Sequence, residues 1–201
     1  MSVQERRVRE RAQRERLIVT TARDLAEAEG WDAVTTRRLA ELIEYSQPVL
    51  YSHFKGKDAI MAAVAVEGFA EIAADLRAAR SEAPTARAAL AGVVAAYVDF
   101  AERRPALYDA MFIRTVDLPF ARPETPAALR DAFDAIREAA RPFAGDDDLD
   151  VYTEVLWAAL HGLVTLMRGG RLPRERHERR IALLFDRFTA QPAKSERRPD
   201  R

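Results

Sequence analysis

Apolar side chains recur every three or four positions along most of the chain, and no stretch alternates apolar and polar residues as a strand does. This period predicts an all-α fold. Glycines and prolines interrupt the pattern, and the clearest helix ends lie at Gly30 and Gly169. The boundaries predict nine helices: residues 9–29, 36–43, 47–53, 57–80 and 86–102, a short helix that opens at Pro105, and residues 126–143, 148–168 and 174–189.

Two of the predicted helices are short and follow one another closely. The first carries Leu39 and Ile43 on its inner side. The second carries Leu50, and Phe54 follows one turn later, so these two side chains can face the first helix. Two short helices joined by a tight turn indicate a helix-turn-helix, whose second helix lies in the major groove of DNA.

The outward face of the second short helix differs from that of a helix that only has to be soluble, which would more often carry glutamate and lysine. Here it carries Gln47, Pro48, Val49, Tyr51, Ser52 and His53. In a helix-turn-helix, the outward face of the second helix is the one that lies in the major groove. We therefore expect this face to contact DNA.

The segment TTRRLAELIEYSQPVLYSHFKGKDAI (residues 35–60) resembles the DNA-binding segment of TetR-family transcriptional regulators, with a tetracycline-repressor-like helix-turn-helix. Its strongest motif is L-Y-x-H-F-x-x-K, which starts at Leu50, and the resemblance covers about a quarter of the chain. It implies a DNA-binding domain at residues 1–57 and a helical ligand-sensing and dimerisation domain at 58–190. The polar residues 191–201 are expected to form a disordered tail.

The resemblance also implies roles for single residues. Arg37 would reach a guanine edge and Gln47 an adenine, while Pro48 and Val49 would pack on a thymine methyl. Backbone phosphates would be held by Thr36, Tyr51, His53 and Lys57. Three alternatives remain open: half-buried packing for Tyr51, a hydrogen bond within the core for His53, and no contact at all for Ser52.

Glu44 departs from the family pattern, which usually has glycine near this point of the turn because the backbone there often needs a positive φ. A glutamate in that conformation would be strained by about 1–2 kcal/mol. The alternative is a turn of a different shape, which would change the geometry of the following helix.

The C-terminal half contains WAALHG (157–162), which resembles one subgroup of TetR C-terminal domains with a Trp…His-Gly pattern. Trp157 and His161 share a helix face. An apolar pocket for a small-molecule effector would be lined by Tyr97, Tyr108, Phe112, Phe133, Trp157 and His161. The alternative is a plain aromatic core.

The helix predicted at 148–168 is apolar nearly all round, so it must be covered on two sides. With the apolar stripe of the helix at 174–189, it predicts a four-helix interface in a homodimer. Two-fold symmetry would then require a palindromic operator.

Composition excludes several classes of protein. The absence of cysteine excludes disulfides and thiolate metal sites. We find no nucleophile–base pair, metal-ligand set or glycine-rich phosphate loop, so neither an enzyme nor a cofactor is expected. No apolar run is long enough to cross a bilayer, and the N-terminal residues lack the apolar segment of a secretory signal. We expect a cytoplasmic protein without a membrane partner.

Charge is uneven although the net charge is zero. Residues 1–23 hold seven arginines against three glutamates. This segment is either an arm that touches DNA outside the groove or a solvated helix face. The favoured hypothesis is a ligand-responsive, dimeric DNA-binding regulator, most often a repressor in the family. The alternative is a helical small-molecule-binding or scaffold protein that has lost sequence-specific DNA binding.

Overall fold

The computed structural model describes residues 2–190, so the expected tail at 191–201 lies outside the described residues. Across this range the chain forms nine α-helices and no strand, which confirms the predicted all-α class. The helices are α1 Val3–Glu29, α2 Thr36–Leu42, α3 Gln47–His53, α4 Lys57–Ser81, α5 Ala86–Arg103, α6 Pro105–Phe112, α7 Ala127–Ala140, α8 Leu149–Arg168 and α9 His177–Thr189.

Among the helix boundaries that differ from the prediction, two have identifiable reasons. Helix α1 begins six residues earlier than expected, because Ser2 and Glu5 form a capping box in which each side chain accepts a hydrogen bond from the other's backbone N–H. Helix α7 ends at Ala140, and a short 3₁₀ helix, Arg141–Phe143, follows. Pro142 accounts for that change, since it has no N–H to donate to the preceding turn.

The chain packs as two compact units. Among the described residues, the first contains residues 2–72 together with Asp99–Asp131, and the second contains Ala73–Val98 together with residues 132–190. The division of function expected after residue 57 falls inside the first unit, and it stays a prediction.

In the first unit, α1 packs against α2, α3 and α6. Trp31, just after α1, is buried and donates its indole N–H to the carbonyl of Ala106 at 2.7 Å. The Glu27 carboxylate accepts the backbone N–H groups of Ala106 and Leu107 at 3.1 and 3.0 Å. These N–H groups have no partner within α6, so a side chain of α1 caps the start of α6.

In the second unit, α8 packs along α9. Tyr152 donates its hydroxyl to the carbonyl of Phe188, and the two rings meet edge to face at 5.3 Å. Arg87 of α5 pairs with Asp186 at 2.8 Å and lies over the ring of Phe185. Helix α9 is thus fixed to both α8 and α5. Within residues 2–190, no helix combines the length and apolar character needed to cross a membrane.

Candidate functional site

The turn between α2 and α3 is a complete Schellman motif with Glu44 in the left-handed position. The Tyr45 N–H donates to the Ala40 carbonyl at 2.9 Å, and the Glu44 N–H donates to the Glu41 carbonyl at 3.3 Å. Glu44 has φ +56°, a conformation that glycine adopts without strain. The expectation that this glutamate occupies a glycine position is confirmed, and the turn keeps the usual helix-ending hydrogen bonds.

Helix α3 is anchored by Leu50, its one buried residue. Leu50 and Leu39 have no exposed surface, and Ile43 is also buried. Phe54 is half-buried at the end of α3, where its N–H donates to the Leu50 carbonyl at 3.0 Å. The sequence therefore identified the anchors correctly, and the residues of α3 left exposed are Gln47, Pro48, Val49, Tyr51 and Ser52.

Six of the nine side chains expected to contact DNA are exposed in this structure. Tyr51 keeps 51% of its surface accessible, and its hydroxyl lies 3.4 Å from that of the half-buried Thr36. Arg37 is 80% exposed at its side chain and pairs with Glu41 at 3.0 Å. The six exposed residues are Arg37, Gln47, Pro48, Val49, Tyr51 and Ser52.

Ser52, although exposed, and the less exposed His53 and Lys57 have partners within the fold. The Ser52 hydroxyl donates to the Val49 carbonyl at 2.6 Å. The side chain of His53 is only 6% exposed, and its Nδ1 lies 3.3 Å from a carboxylate oxygen of Glu15, which favours the core role left open for it. The Lys57 ammonium donates to the Trp31 carbonyl. A phosphate contact by Lys57 stays a prediction.

Two residues of α1 complete this site, and the sequence analysis did not single them out. Glu15 binds both His53 and Arg11, and Arg11 in turn reaches the carbonyl of Ser52 at 3.4 Å. The i,i+4 spacing of Arg11 and Glu15 is visible in the sequence. Their contact with α3, about forty residues away, is not.

In the second unit, three of the residues expected to bind an effector form a polar cluster, here called the Tyr97 cluster. The Trp157 indole N–H donates to the Tyr97 hydroxyl at 3.1 Å, and that hydroxyl lies 3.4 Å from His161 Nδ1. The other ring nitrogen of His161 lies 3.3 Å from the Thr165 hydroxyl. Burial lowers the pKa of His161, and the positive charge of Arg168 lowers it further.

The other three effector candidates lie on other helices, α6 and α7. Tyr108 and Phe112 lie in the first unit, where their rings are 4.8 Å apart and Phe112 also meets Phe69 edge to face at 5.2 Å. Phe133 lies half-buried on α7 in the second unit. A single pocket lined by all six residues stays a prediction.

The outer face of α8 is apolar and exposed. Val151 and Val155 are more than half exposed, and Leu166 continues the same face near the end of the helix. Leu183 of α9 is 58% exposed. A Cβ added at Gly162, between Val155 and Leu166, would meet no atom of the described chain within 4 Å. Residues 2–190 therefore leave this face uncovered.

Comparison with known proteins gives two family matches and several relatives. Residues 18–64 match the bacterial regulatory proteins of the tetR family, and residues 90–191 match the tetracyclin repressor-like C-terminal domain. An uncharacterized HTH-type transcriptional regulator of Bacillus subtilis is 30% identical over 106 residues, so the chain spans 53% of that relative's length. These residues are 51% of this chain. A second such regulator, from Mycobacterium tuberculosis, is 32% identical over 155 residues, which cover 76% of this chain and 69% of that protein.

Solved structures with the same fold include two with high coverage. A protein of unknown function from Rhodococcus is 27% identical, with 87% of this chain and 92% of that chain covered and a TM-score of 0.72. BioQ, solved with its natural double-stranded DNA operator, is 22% identical, with 88% and 98% covered and a TM-score of 0.64. Because the C-terminal family match spans half of the chain and the N-terminal match spans the helix-turn-helix, the chain belongs to the TetR family of bacterial transcriptional regulators.

Proposed function

We propose that this protein is a dimeric repressor that binds a palindromic DNA operator through α3 and responds to a small-molecule effector. One observation carries the DNA-binding part of the proposal. A short helix is anchored by the buried Leu50 and turns an exposed set of amide, hydroxyl, aromatic and apolar side chains outward. The solved complex of BioQ with its operator supports it as a structure of the same fold.

The exposed residues divide by chemistry into base contacts and backbone contacts. Arg37 can give two parallel hydrogen bonds to a guanine and Gln47 can do the same for an adenine, while Val49 packs on a thymine methyl. Each good two-bond pair is worth about 1–3 kcal/mol of discrimination. To reach a base, Arg37 must leave Glu41, and an exposed helix pair of this kind costs only about 0.3–0.5 kcal/mol to break.

Thr36 and Tyr51 are adjacent hydroxyls at the edge of this surface, which suits a shared phosphate. His53 acts differently in this proposal. Because its ring is buried beside Glu15, it orients α3 against α1 instead of touching DNA itself.

A second copy of the chain is the occupant we propose for the outer face of α8 and α9. The uncovered side chains of Val151, Val155 and Leu166 form a stripe along α8, and Leu183 extends it onto α9. Packing this stripe against its own symmetry mate buries it and produces a two-fold axis. Two copies of α3 then meet successive major grooves of a palindrome.

The Tyr97 cluster is the proposed effector site. It combines aromatic surface with hydroxyl, indole and imidazole groups, as sites for mainly apolar ligands with one or two polar groups do. Its residues lie on α5 and α8, so the ligand can shift the equilibrium only if it binds one arrangement of these helices more tightly.

The experiment starts with a duplex selected by the wild-type protein from a random-sequence pool, followed by quantitative gel shifts. Arg37→Ala should lose about 1–3 kcal/mol of binding free energy per half-site and relax the preference at one base pair. Arg38→Ala is the matched control, because Arg38 carries the same charge on the same helix but pairs with Glu29 of α1 at 2.6 Å, whereas Arg37 pairs within α2. Equal affinities for wild type, Arg37→Ala and Tyr51→Ala would disprove the assigned DNA surface.

A further inference from the structure

The N-terminal part of α1 extends the basic end of the molecule as a formed helix. Residues 3–16 are almost all exposed and hold six arginines against three glutamates. The capping box of Ser2 and Glu5 satisfies two backbone N–H groups at the start of this segment. We call residues 3–16 the basic extension. Because its arginines stand on a formed helix, the segment loses little conformational entropy when it binds a ligand.

The arginines of the basic extension lie on two opposite faces. Arg7, Arg11 and Arg14 are spaced i, i+4, i+7 and share one stripe. Arg6, Arg9 and Arg16 point to the other side of the same helix. Each face carries three arginines, so charge alone does not distinguish them. Their orientation relative to α3 decides which face can contact DNA bound by that helix.

The stripe of Arg7, Arg11 and Arg14 faces the helix-turn-helix. Arg11 reaches the carbonyl of Ser52 at 3.4 Å, near the C-terminal end of α3. Arg14 lines the same surface cleft as Tyr45 in the turn between α2 and α3. Arg7 lies about 6 Å beyond Arg11 along the helix axis, given a rise of about 1.5 Å per residue. The stripe thus continues the surface that presents α3.

The side chains of Arg7 and Arg14 form no ion pair or hydrogen bond within residues 2–190. By contrast, Arg11 pairs with Glu15, and Arg6 pairs with Glu10, which lines the same cleft as Arg14. A guanidinium that forms no ion pair loses none when it binds a phosphate, and the contact releases counterions from the DNA.

We propose that Arg7 and Arg14 bind backbone phosphates of the duplex just outside the base pairs contacted by α3, with Arg11 holding the basic extension against that helix. The proposal rests on the proposed function, since it places the arm on the same operator. The contacts are sequence-independent, so they add affinity and leave the base preference unchanged.

The salt dependence of binding gives the expected size of the effect. A dimer of the Arg7→Ala/Arg14→Ala double variant loses four phosphate contacts, and each contact contributes about 0.9 to the slope of log affinity against log salt. The slope should therefore fall in magnitude by up to about 3.6. Between about 50 and 200 mM salt the advantage of the wild type should shrink by about 3.5-fold per contact, or up to about 150-fold in total.

The matched control is Arg6→Ala/Arg9→Ala, which removes the same charge from the same segment but from the opposite face. Alanine replaces arginine at little cost in helix propensity, so both variants should fold. Fluorescence anisotropy with the selected duplex, about 40 base pairs long to include flanking DNA, and with an unrelated duplex of equal length measures both affinity and salt slope. Circular dichroism checks that the helix content of the variants is unchanged.

The expected result is a loss of affinity and slope for Arg7→Ala/Arg14→Ala on both duplexes, with a much smaller loss for the control. Equal losses for the two variants would show that only net charge matters and would overturn the proposal. So would an unchanged slope, or a loss confined to the selected duplex. If Arg37→Ala weakens binding while Arg7→Ala/Arg14→Ala does not, only the proposed role of the basic extension is wrong. If neither variant weakens binding, the proposed function is wrong as well.

Discussion

Replacing Glu44 by glycine should stabilise the protein. At φ +56° the Cβ of Glu44 crowds the following carbonyl, which costs about 1–2 kcal/mol. Glycine removes that cost but gains freedom in the unfolded chain, which offsets about 0.4–1 kcal/mol. The side chain of Glu44 is exposed and makes no hydrogen bond or ion pair within the described part of the chain, so its removal breaks no contact. The net gain in unfolding free energy is about 0.5–1 kcal/mol, or a Tm increase of about 2 °C for a chain of this size.

Thermal and urea denaturation of the wild type, Glu44→Gly and Glu44→Ala measure this effect. Alanine removes the same charge and length of side chain but keeps Cβ, so it should leave the strain and change stability little. The informative quantity is the difference between the glycine and alanine variants. If Glu44→Gly is no more stable than Glu44→Ala, the strain at this turn is absent and the reasoning fails.

Three further predictions concern packing and protonation. Glu27→Ala should lower the unfolding free energy in urea by about 1–2 kcal/mol, because the first N–H groups of α6 lose their acceptor, and Glu27→Gln should lose less. Gly68→Ala should destabilise by about 1–2 kcal/mol although alanine favours helices, since the new Cβ would lie 2.8 Å from a methyl group of the buried Leu107; a stabilised variant in a thermal melt would contradict this. The lowered pKa of His161 means that the unfolded chain binds its proton more readily, so unfolding free energy should fall as pH drops through 6.5. His161→Gln should lack that part of the pH dependence in urea titrations at about pH 8 and about pH 5.

Much of the fold followed from the pattern of the sequence because helices obey local rules. Apolar spacing located the nine helices of the described residues, and Pro105 and Gly30 marked ends that the structure has as well. The start of α1 was missed although the S-x-x-E capping box is visible at Ser2 and Glu5. At Glu44, by contrast, the sequence was interpreted correctly. A glutamate at a position where the family usually has glycine indicated a positive φ, which the structure has.

The candidate site was predictable only in part. The outward residues of α3 could be inferred because Leu50 and Phe54 fix which side faces inward. The surroundings of His53 could not, since its partner Glu15 lies on α1, 38 residues earlier, and no local spacing connects the two. The same applies to the basic extension, where the sequence shows the arginines but not which of them face α3.

The sequence by itself determined the helix-turn-helix, its buried anchors and its chemically unusual outer face, because each depends on residues within one or two helical turns. Only the tertiary structure decided that Glu27 caps α6, that Tyr97 joins Trp157 and His161, and that Arg11 and Arg14 lie on the side of the helix-turn-helix. Contacts between residues tens of positions apart depend on how helices pack, and packing is set by the shape and volume of the whole core. A local sequence pattern therefore does not indicate which distant side chain will pack beside it.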